Sequence, residues 1–321
     1  MGSNGLTRTD PLGHTRTILV SGDDNFGDHV NVFTDELGRT TNYQYDAFGD
    51  LTEVAYPEGN HTDYTYDARQ NLIQTSITPK DGSAPIVTTM GYDSTCTNPK
   101  TCNKPNWYKD AKGNETDFAY DPNHGGITSM TLPADANGVR PQMRYTYTQL
   151  YPKDVHGNNG PNPVWRLTKT STCRSVTDGC EGTADETVSE YVYNDPNLLL
   201  TSKTVHAGDN SVSSTESYGY DATGNMTMVD GPRTDVDDRS YTTYDTNRHK
   251  IFEIGVDPDG SGPLPRVIVK HIYDGDFNEI QTETGTGNAT DGSDFVVTSY
   301  VLRTYDPNTG LLVKTITATV P

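Results

Sequence analysis

The dipeptide Tyr-Asp recurs along this 321-residue chain, at Tyr45, Tyr66, Tyr92, Tyr120, Tyr220, Tyr244, Tyr273 and Tyr305. Each tyrosine is followed by its aspartate: Asp46, Asp67, Asp93, Asp121, Asp221, Asp245, Asp274 and Asp306. With 20 Tyr and 33 Asp in the chain, composition alone gives about two such pairs. The excess marks a repeated unit, and a repeat constrains the fold more strongly than any single motif. A ninth copy reads as Tyr193-Asn194-Asp195, with one residue inserted.

The surroundings repeat as well. Gly38, Gly59 and Gly113 each lie seven residues before a repeat tyrosine, and Tyr43, Tyr64 and Phe118 each lie two before it. Tyr145/Tyr147, Tyr191/Tyr193 and Tyr218/Tyr220 keep the aromatic-x-Tyr spacing. An i, i+2 pair places both rings on one face of a strand, whereas a helix would need i, i+3 or i+4. Two sets of turns separate the strands. One follows the tyrosine, as in Asp46-Ala47-Phe48-Gly49-Asp50, Asp221-Ala222-Thr223-Gly224-Asn225 and Asp306-Pro307-Asn308-Thr309-Gly310. The other precedes the next strand, as in Asp35-Glu36-Leu37-Gly38, Pro57-Glu58-Gly59-Asn60 and Asp110-Ala111-Lys112-Gly113. An aspartate that opens a turn bonds the backbone ahead of it, and glycine takes the left-handed dihedrals. The unit is therefore a β-hairpin of roughly 20 to 30 residues.

The step from Tyr120 to Tyr193 is long because the copy at Tyr145-Thr146-Tyr147 is degenerate, with Thr148 after the tyrosine. A Pro/Gly/Asn-rich insertion, Pro152 to Pro163, follows it before Trp165 resumes a strand. It reads as a long exposed loop. The repeat continues on both sides, so residues 1–321 are expected to form one continuous array with a degenerate copy and loop near 145–165.

Hydrophobic residues make up only 32% of the chain and the mean hydropathy is -0.71, which favours disorder or a thin core over a thick one. The abundant Tyr, Thr and Val suit pleated strands and decide for a sheet with a modest core. A net charge of -20 and a pI near 4.6 exclude ready binding to a nucleic-acid backbone or an acidic membrane surface. The charge serves solubility, or, on a sharper reading, a lining that holds basic cargo or cations. No window has the apolar length of a membrane span, and Met1-Gly2-Ser3-Asn4-Gly5 lacks the basic and apolar regions of a signal peptide. The expectation is a piece of a longer exported protein, or a cloning scar at Met1-Gly2-Ser3.

The four cysteines form two local pairs, Cys96/Cys102 and Cys173/Cys180, in polar loop-rich segments. Zinc ligands are usually spaced more tightly, though two distant pairs can converge on one four-cysteine site. Local disulfides that close hairpin loops are the reading adopted, and they imply an oxidising compartment.

At Tyr45-Asp46-Ala47-Phe48-Gly49-Asp50-Leu51 and Tyr220-Asp221-Ala222-Thr223-Gly224-Asn225-Met226 the sequence resembles the RHS/YD-repeat family, whose core is Y-D-x-x-G-[N/R/D]-hydrophobic. The resemblance runs from about Thr9 to about Val313. It implies an all-β fold of tandem antiparallel β-hairpins forming a long curved sheet, part of a spiral shell. Such shells enclose a C-terminal toxin or present an adhesive surface. The cysteine segments and Asp257-Pro258-Asp259-Gly260 resemble bacterial wall-associated members. Toxin-releasing members carry an Asp-Pro-x-Gly block near the end of the core. Here repeats continue past Gly260, so the match reads as an ordinary turn. No effector and no cap follow before Pro321, and the expectation is an internal slice of the repeat region.

The chain shows no nucleophile elbow, metalloprotease motif or phosphate-binding loop. Its eight histidines (14, 29, 61, 124, 156, 206, 249 and 271) mostly sit in turns beside Gly, Asn or Asp. The expectation is a non-enzymatic protein with no cofactor. Rows of tyrosine could stack sugars, but a feature that recurs in every unit reads as structural. Asp257 and Asp259, with Gly260, Ser261 and Gly262, and Asp235, Asp237 and Asp238 are weak calcium candidates without a full EF-hand pattern. Four Asn-x-Thr sequons, at Asn60, Asn114, Asn225 and Asn288, fall in Asn- and Thr-rich turns. The expected role is a shell segment of a secreted or cell-surface protein. Its partners would be the rest of its own polypeptide, including an enclosed effector, with no nucleic acid and no membrane span. The alternative is a surface adhesion or carbohydrate-binding module that meets cell-surface glycans or proteins. A mainly helical circular-dichroism spectrum would refute the fold.

Overall fold

A computed structural model describes residues 4–23, 27–154, 156–194, 197–260, 262–307 and 309–320. Of the positions singled out above, Met1, Gly2, Ser3, Asp195, Ser261, Asn308 and Pro321 lie outside the described residues. Every regular element among those described is a β-strand. No helix is long and apolar enough to cross a membrane.

The chain divides into two compact units, residues 1–144 with 175–178, and residues 145–174 with 179–321. The first holds β1 (Asn4–Thr9), β2 (Thr15–Asp23), β3 (Gly27–Thr34), β4 (Thr40–Tyr45), β5 (Leu51–Ala55), β6 (His61–Tyr66), β7 (Leu72–Thr78), β8 (Ile86–Gly91), β9 (Trp107–Lys109), β10 (Glu115–Tyr120) and β11 (Ile127–Thr131). The division falls inside β12 (Gln142–Leu150). The second unit holds β13 (Val164–Cys173), β14 (Glu186–Tyr193), β15 (Leu200–Ala207), β16 (Ser213–Tyr220), β17 (Met226–Asp230), β18 (Ser240–Tyr244), β19 (Lys250–Ile254), β20 (Arg266–Tyr273), β21 (Glu279–Gly287), β22 (Val296–Tyr305) and β23 (Leu312–Thr319). In both units each strand pairs antiparallel with the next in chain order, from β1–β2 to β10–β11 and from β13–β14 to β22–β23. The fold is all-β, built of tandem hairpins, as the tyrosine spacing predicts.

The turns are more uniform than the two sets read from sequence. At Asp46 the backbone amide donates to the Asp50 carbonyl (2.9 Å) and the Gly49 amide returns to the Asp46 carbonyl (3.2 Å). The Asp46 carboxylate accepts the amides of Phe48 (2.8 Å) and Asp50 (3.0 Å). The same four bonds recur at Asp67, Asp221, Asp245 and Asp274, which follow a repeat tyrosine, and at Asp35 and Asp110, which do not. The fourth residue is left-handed in all of them, Gly in some (Gly224, φ 85°) but Gln70 (65°), Arg248 (73°) and Phe277 (65°) in others. One carboxylate oxygen thus satisfies two amides that the tight loop leaves without a backbone partner, at glycine and non-glycine positions alike.

The second carboxylate oxygen takes a donor from the fifth residue of the turn: Asn71 (2.9 Å), Asn225 (2.8 Å), Asn278 (3.1 Å), Asn114 (2.8 Å), His249 (3.0 Å) and Arg39 (2.7 Å). Asp50 breaks this rule, since a carboxylate at the fifth position has no proton to donate, and its Oδ2 is buried with no hydrogen-bond partner. After each of these tyrosine turns the ladder carries a β-bulge. The register shifts between Gln44 and Tyr45, Thr65 and Tyr66, Gly219 and Tyr220, Thr243 and Tyr244, and Ile272 and Tyr273. The extra residue lies on the opposite strand, Thr52 in the first case, because Gln44 pairs with Glu53 and Tyr45 with Leu51.

The core is thin. The buried hydrophobic residues are Val54, Val188, Leu198, Ala207, Ile254 and Ile268, with three of the cysteines. Ile254 and Ile268 face each other across β19–β20. Beside them the buried Arg266 donates to the carbonyls of Gly255 (2.8 Å) and Arg239, pairs with Asp237 (2.8 Å) and lies over the Tyr241 ring. A sheet with so little apolar burial leans on its polar bonds for register and order.

Asp50→Asn supplies the donor that the other turns already have and removes a buried unpaired oxygen. We expect it to raise stability by about 0.5–1.5 kcal/mol in urea unfolding of the full chain. An unchanged or lower midpoint would contradict this account of the turn.

Candidate functional site

The repeat tyrosines act where the backbone ladder between successive hairpins runs out. Between β5 and β6 the paired residues are Ala55–His61, Val54–Thr62 and Glu53–Asp63. Three residues further on, the Tyr66 hydroxyl donates to the Leu51 carbonyl at 2.9 Å, two residues short of Glu53. The side chain thus supplies one more rung across a gap that main chain no longer bridges.

The same offsets hold in seven other hairpins. Tyr45 bonds the Val30 carbonyl (3.0 Å), Tyr92 that of Leu72 (2.9 Å) and Tyr120 that of Pro105 (2.8 Å). In the second unit Tyr193 bonds the Leu167 carbonyl (2.8 Å), Tyr220 that of Leu200 (2.8 Å), Tyr244 that of Met226 (2.9 Å) and Tyr305 that of Glu279 (3.2 Å). In each, the tyrosine stands three residues beyond the last pair and the acceptor two residues before it, as Val32–Asn42, Gln74–Thr89, Asp117–Trp107, Lys169–Glu190, Ser202–Ser217, Met228–Tyr241 and Gln281–Leu302 show. Tyr273 stands at the same offset from the Lys270–Phe252 pair, and its ring meets the His249 imidazole at 5.0 Å.

The acceptors explain the far end of the motif. Leu51 and Met226 are the hydrophobic residues that close Y-D-x-x-G-[N/D]-hydrophobic, and each pairs across the bulge with its own tyrosine, Tyr45 and Tyr220. One repeat therefore ends on the carbonyl that the tyrosine of the next repeat seeks. Nothing in the side chain of Leu51 announces this role. The only sequence signal is its fixed distance from the tyrosine.

Burial raises the pKa of the Tyr45, Tyr66, Tyr92, Tyr120, Tyr193 and Tyr220 hydroxyls. Tyr218 is pushed up to about 12 by burial and by its bond to Glu216. These phenols stay protonated donors through the neutral range. The turn carboxylates shift the other way. Asp221 is lowered to about 2 by the Asn225 amide, the Asn225 side chain and Thr223. Asp110 and Asp274 are lowered chiefly by the side chains of Asn114 and Asn278. Many of the shifted groups are thus repeating parts of the hairpin.

Some repeat positions depart from the pattern. Asp121 and Asp306 close loops one residue longer, their amides donating to Gly126 and Leu311 (both 2.8 Å). Asp93 does not open a short turn at all. Its Oδ1 accepts the Asn106 side chain (2.9 Å), and the Asn106 amide returns to the Gly91 carbonyl (2.7 Å), so residues 93–106 form the loop. Gly91 is required there, because a Cβ would lie 2.3 Å from the Trp107 indole nitrogen. Within this loop Cys96 and Cys102 form a disulfide with Cα atoms 4.9 Å apart. Cys173 and Cys180 form the other, at 5.7 Å. The insertion at 152–163 carries structure of its own, an antiparallel bridge between Lys153 and Asn159 around a turn opened by Asp154.

Asp257 and Asp259 close their own turn. Asp257 accepts the Asp259 amide (3.2 Å), and Asp259 accepts the Leu264 amide (3.1 Å). Asp237 is held by Arg239 and Arg266, and Asp238 accepts the Arg233 amide (3.0 Å). Among the described residues the cluster whose ligand atoms lie close enough to share a metal is Cys173, Cys180 and Asp185, and its two sulfurs are joined to each other.

A hairpin array laced by a periodic side-chain rung defines a β-hairpin repeat protein whose recurring residues build the repeat itself. The RHS Repeat family model matches residues 26–61 and 45–84 of this chain. No curated protein matches the chain. Solved structures similar to it include the TcdB2-TccC3-Cdc42 crystal structure, at 12% identity and a TM-score of 0.33, covering 99% of this chain and 18% of that one. The Photorhabdus luminescens Tc holotoxin pore gives the same identity, coverage and TM-score. A porin-like protein from Bacteroides uniformis matches at 11% identity and a TM-score of 0.27, covering 95% of this chain and 94% of that one. The chain spans less than a fifth of the length of the first two.

Tyr66→Phe removes one rung and leaves the Leu51 carbonyl without it. We expect a loss of about 1–2 kcal/mol in local opening free energy, read by hydrogen exchange in β5 and β6. Equal protection in the variant would refute the rung. Acid should loosen the turns. Asp221 has a folded pKa of about 2, below its ordinary 3.8, so its contribution is complete above pH 4 and is lost as pH falls from about 4 to about 2. We expect the melting temperature to drop across that interval, and to drop less in Asp221→Asn.

Proposed function

We propose that this chain is a wall segment of an RHS-type shell that encloses or presents an effector carried on the same polypeptide, in a secreted or cell-surface protein. The observation that carries the reading is the tyrosine rung, the same bond at the same offsets in eight hairpins. A catalytic or ligand-binding site is local, whereas a wall needs the same joint at every unit. The rung makes successive hairpins adhere beyond their backbone ladders, which suits a continuous barrier.

The proposed role is passive. The repeat aspartates and tyrosines with displaced pKa values are engaged in turns and rungs, so we read them as structural fasteners. The two disulfides and the lack of free cysteines among the described residues suit an oxidising, extracytoplasmic setting. The net charge of -20 suits a wall that repels acidic surfaces and tolerates basic cargo.

The test is limited proteolysis of the full-length protein that contains this chain. The segment downstream of the repeats should resist cleavage while the wall is intact. Paired Tyr66→Phe and Tyr220→Phe substitutions should speed its cleavage at unchanged expression. Cleavage of that segment as fast as when it is produced alone would overturn containment. Retained binding of the isolated chain on a glycan array would instead favour the adhesion reading.

A further inference from the structure

The Cys96–Cys102 loop reaches well beyond its own hairpin. On one side is the turn opened by Asp67, whose Arg69 guanidinium donates to the carbonyls of Asp93 and Cys102. On the other is the turn opened by Asp121. There Asn98 donates to the Pro122 carbonyl (2.9 Å), and the ammonium groups of Lys100 and Lys104 donate to the carbonyls of Asn123 and Gly125. The approach is tight, since a Cβ on Gly125 would lie 2.6 Å from the Lys100 carbonyl. All these residues belong to the first unit. The loop therefore ties together two turns that share no backbone ladder with each other.

The two disulfides present different faces to solvent. Cys96 is exposed while Cys102 is fully buried, its amide bonded to the Asn98 carbonyl (2.9 Å). Cys173 and Cys180 are only 2% and 3% exposed. The first bridge thus has one exposed cysteine and the second has none, which makes the first the more open to an external thiolate.

We propose that Cys96–Cys102 is a redox latch, opened selectively by small thiols such as glutathione, and that opening it releases the Asp67 and Asp121 turns from one another. The thiolate attacks Sγ of Cys96, forming a mixed disulfide there and expelling the Cys102 thiolate, which takes a proton from solvent. A second thiolate attacks the glutathione sulfur of that mixed disulfide. It leaves as oxidised glutathione, and Cys96 takes up the second proton. Two thiols are oxidised and one protein disulfide is reduced. Asn98 and Lys100 lie inside the loop that the bridge closes and Lys104 two residues past it, so the bridge restrains where all three point. Freed of the bridge, the largely exposed loop regains chain entropy and those bonds exchange with water. The wall would thus stay latched in an oxidising medium and loosen along one row of turns in a reducing one.

The test titrates the oxidised full chain with glutathione at neutral pH and follows each cysteine by alkylation and mass spectrometry. Hydrogen exchange is read in parallel at the Asp121 and Gly125 amides, which the turn protects. Cys96 and Cys102 should become alkylated at lower thiol concentration than Cys173 and Cys180, with exchange at residues 121–126 rising about tenfold and exchange in β14 and β15 unchanged. Asn98→Ala combined with Lys104→Ala, kept oxidised, should raise exchange at 121–126 by itself, separating release of the latch from loss of the fold. Labelling of Cys173 and Cys180 first or together with the other pair would overturn the selectivity. Opening of Cys96–Cys102 without faster exchange at 121–126 would overturn the latch.

Discussion

A phenol hydroxyl meeting a main-chain carbonyl across a widening gap is the bond on which this structure depends. Antiparallel ladders tie hairpin to hairpin only part of the way, and beyond Glu53–Asp63 or Ser202–Ser217 the strands part. Where a tight aspartate turn precedes the acceptor strand, the bulge behind it bends and twists that strand through an extra residue such as Thr52. A carbonyl left beyond the last ladder pair needs a donor, and no backbone pair continues the ladder there. Tyrosine has the reach, fills the wedge with its ring, and ends in the donor. Phenylalanine would fill the space and leave the carbonyl unpaired.

The turn and the rung form one device. The aspartate beside most of these tyrosines holds the turn, and the tyrosine joins its strand to the hairpin before it. This accounts for the adjacency of the two residues better than separate roles do. It also accounts for the thin core. With Ile254, Ile268, Val188 and Val54 among the few buried aliphatics, polar bonds that recur in each unit carry order that a globular domain draws from packing.

In one place where the short turn is interrupted, a disulfide closes the longer loop that replaces it. After Tyr92 the rung survives, but the short turn is replaced by residues 93–106, and a disulfide closes that loop. The array thus tolerates local insertions as long as the tyrosine keeps its offset from the last backbone pair.

The sequence by itself determined the strands, the hairpin unit and the turn chemistry. Alternation at i, i+2 sets a strand face, aspartate three residues before a glycine sets a turn, and both are short-range rules that need no partner. It also marked the residues of the rung, though only from the donor side, because a tyrosine is visible in a sequence and a particular carbonyl is not. Three things were decided by tertiary structure. One is that Tyr66 answers to Leu51 and Tyr220 to Leu200, since that pairing follows from where the ladder ends. Another is that turns from both sets share one hydrogen-bond scheme, with Gln70, Arg248 and Phe277 held left-handed by the loop and not by residue preference. The last is that Asp93, spelled like its neighbours, sits in a different loop, because Cys96 and Cys102 close a longer path between β8 and β9. Local rules fix what a segment forms, and only the register between segments fixes which atoms then come within reach.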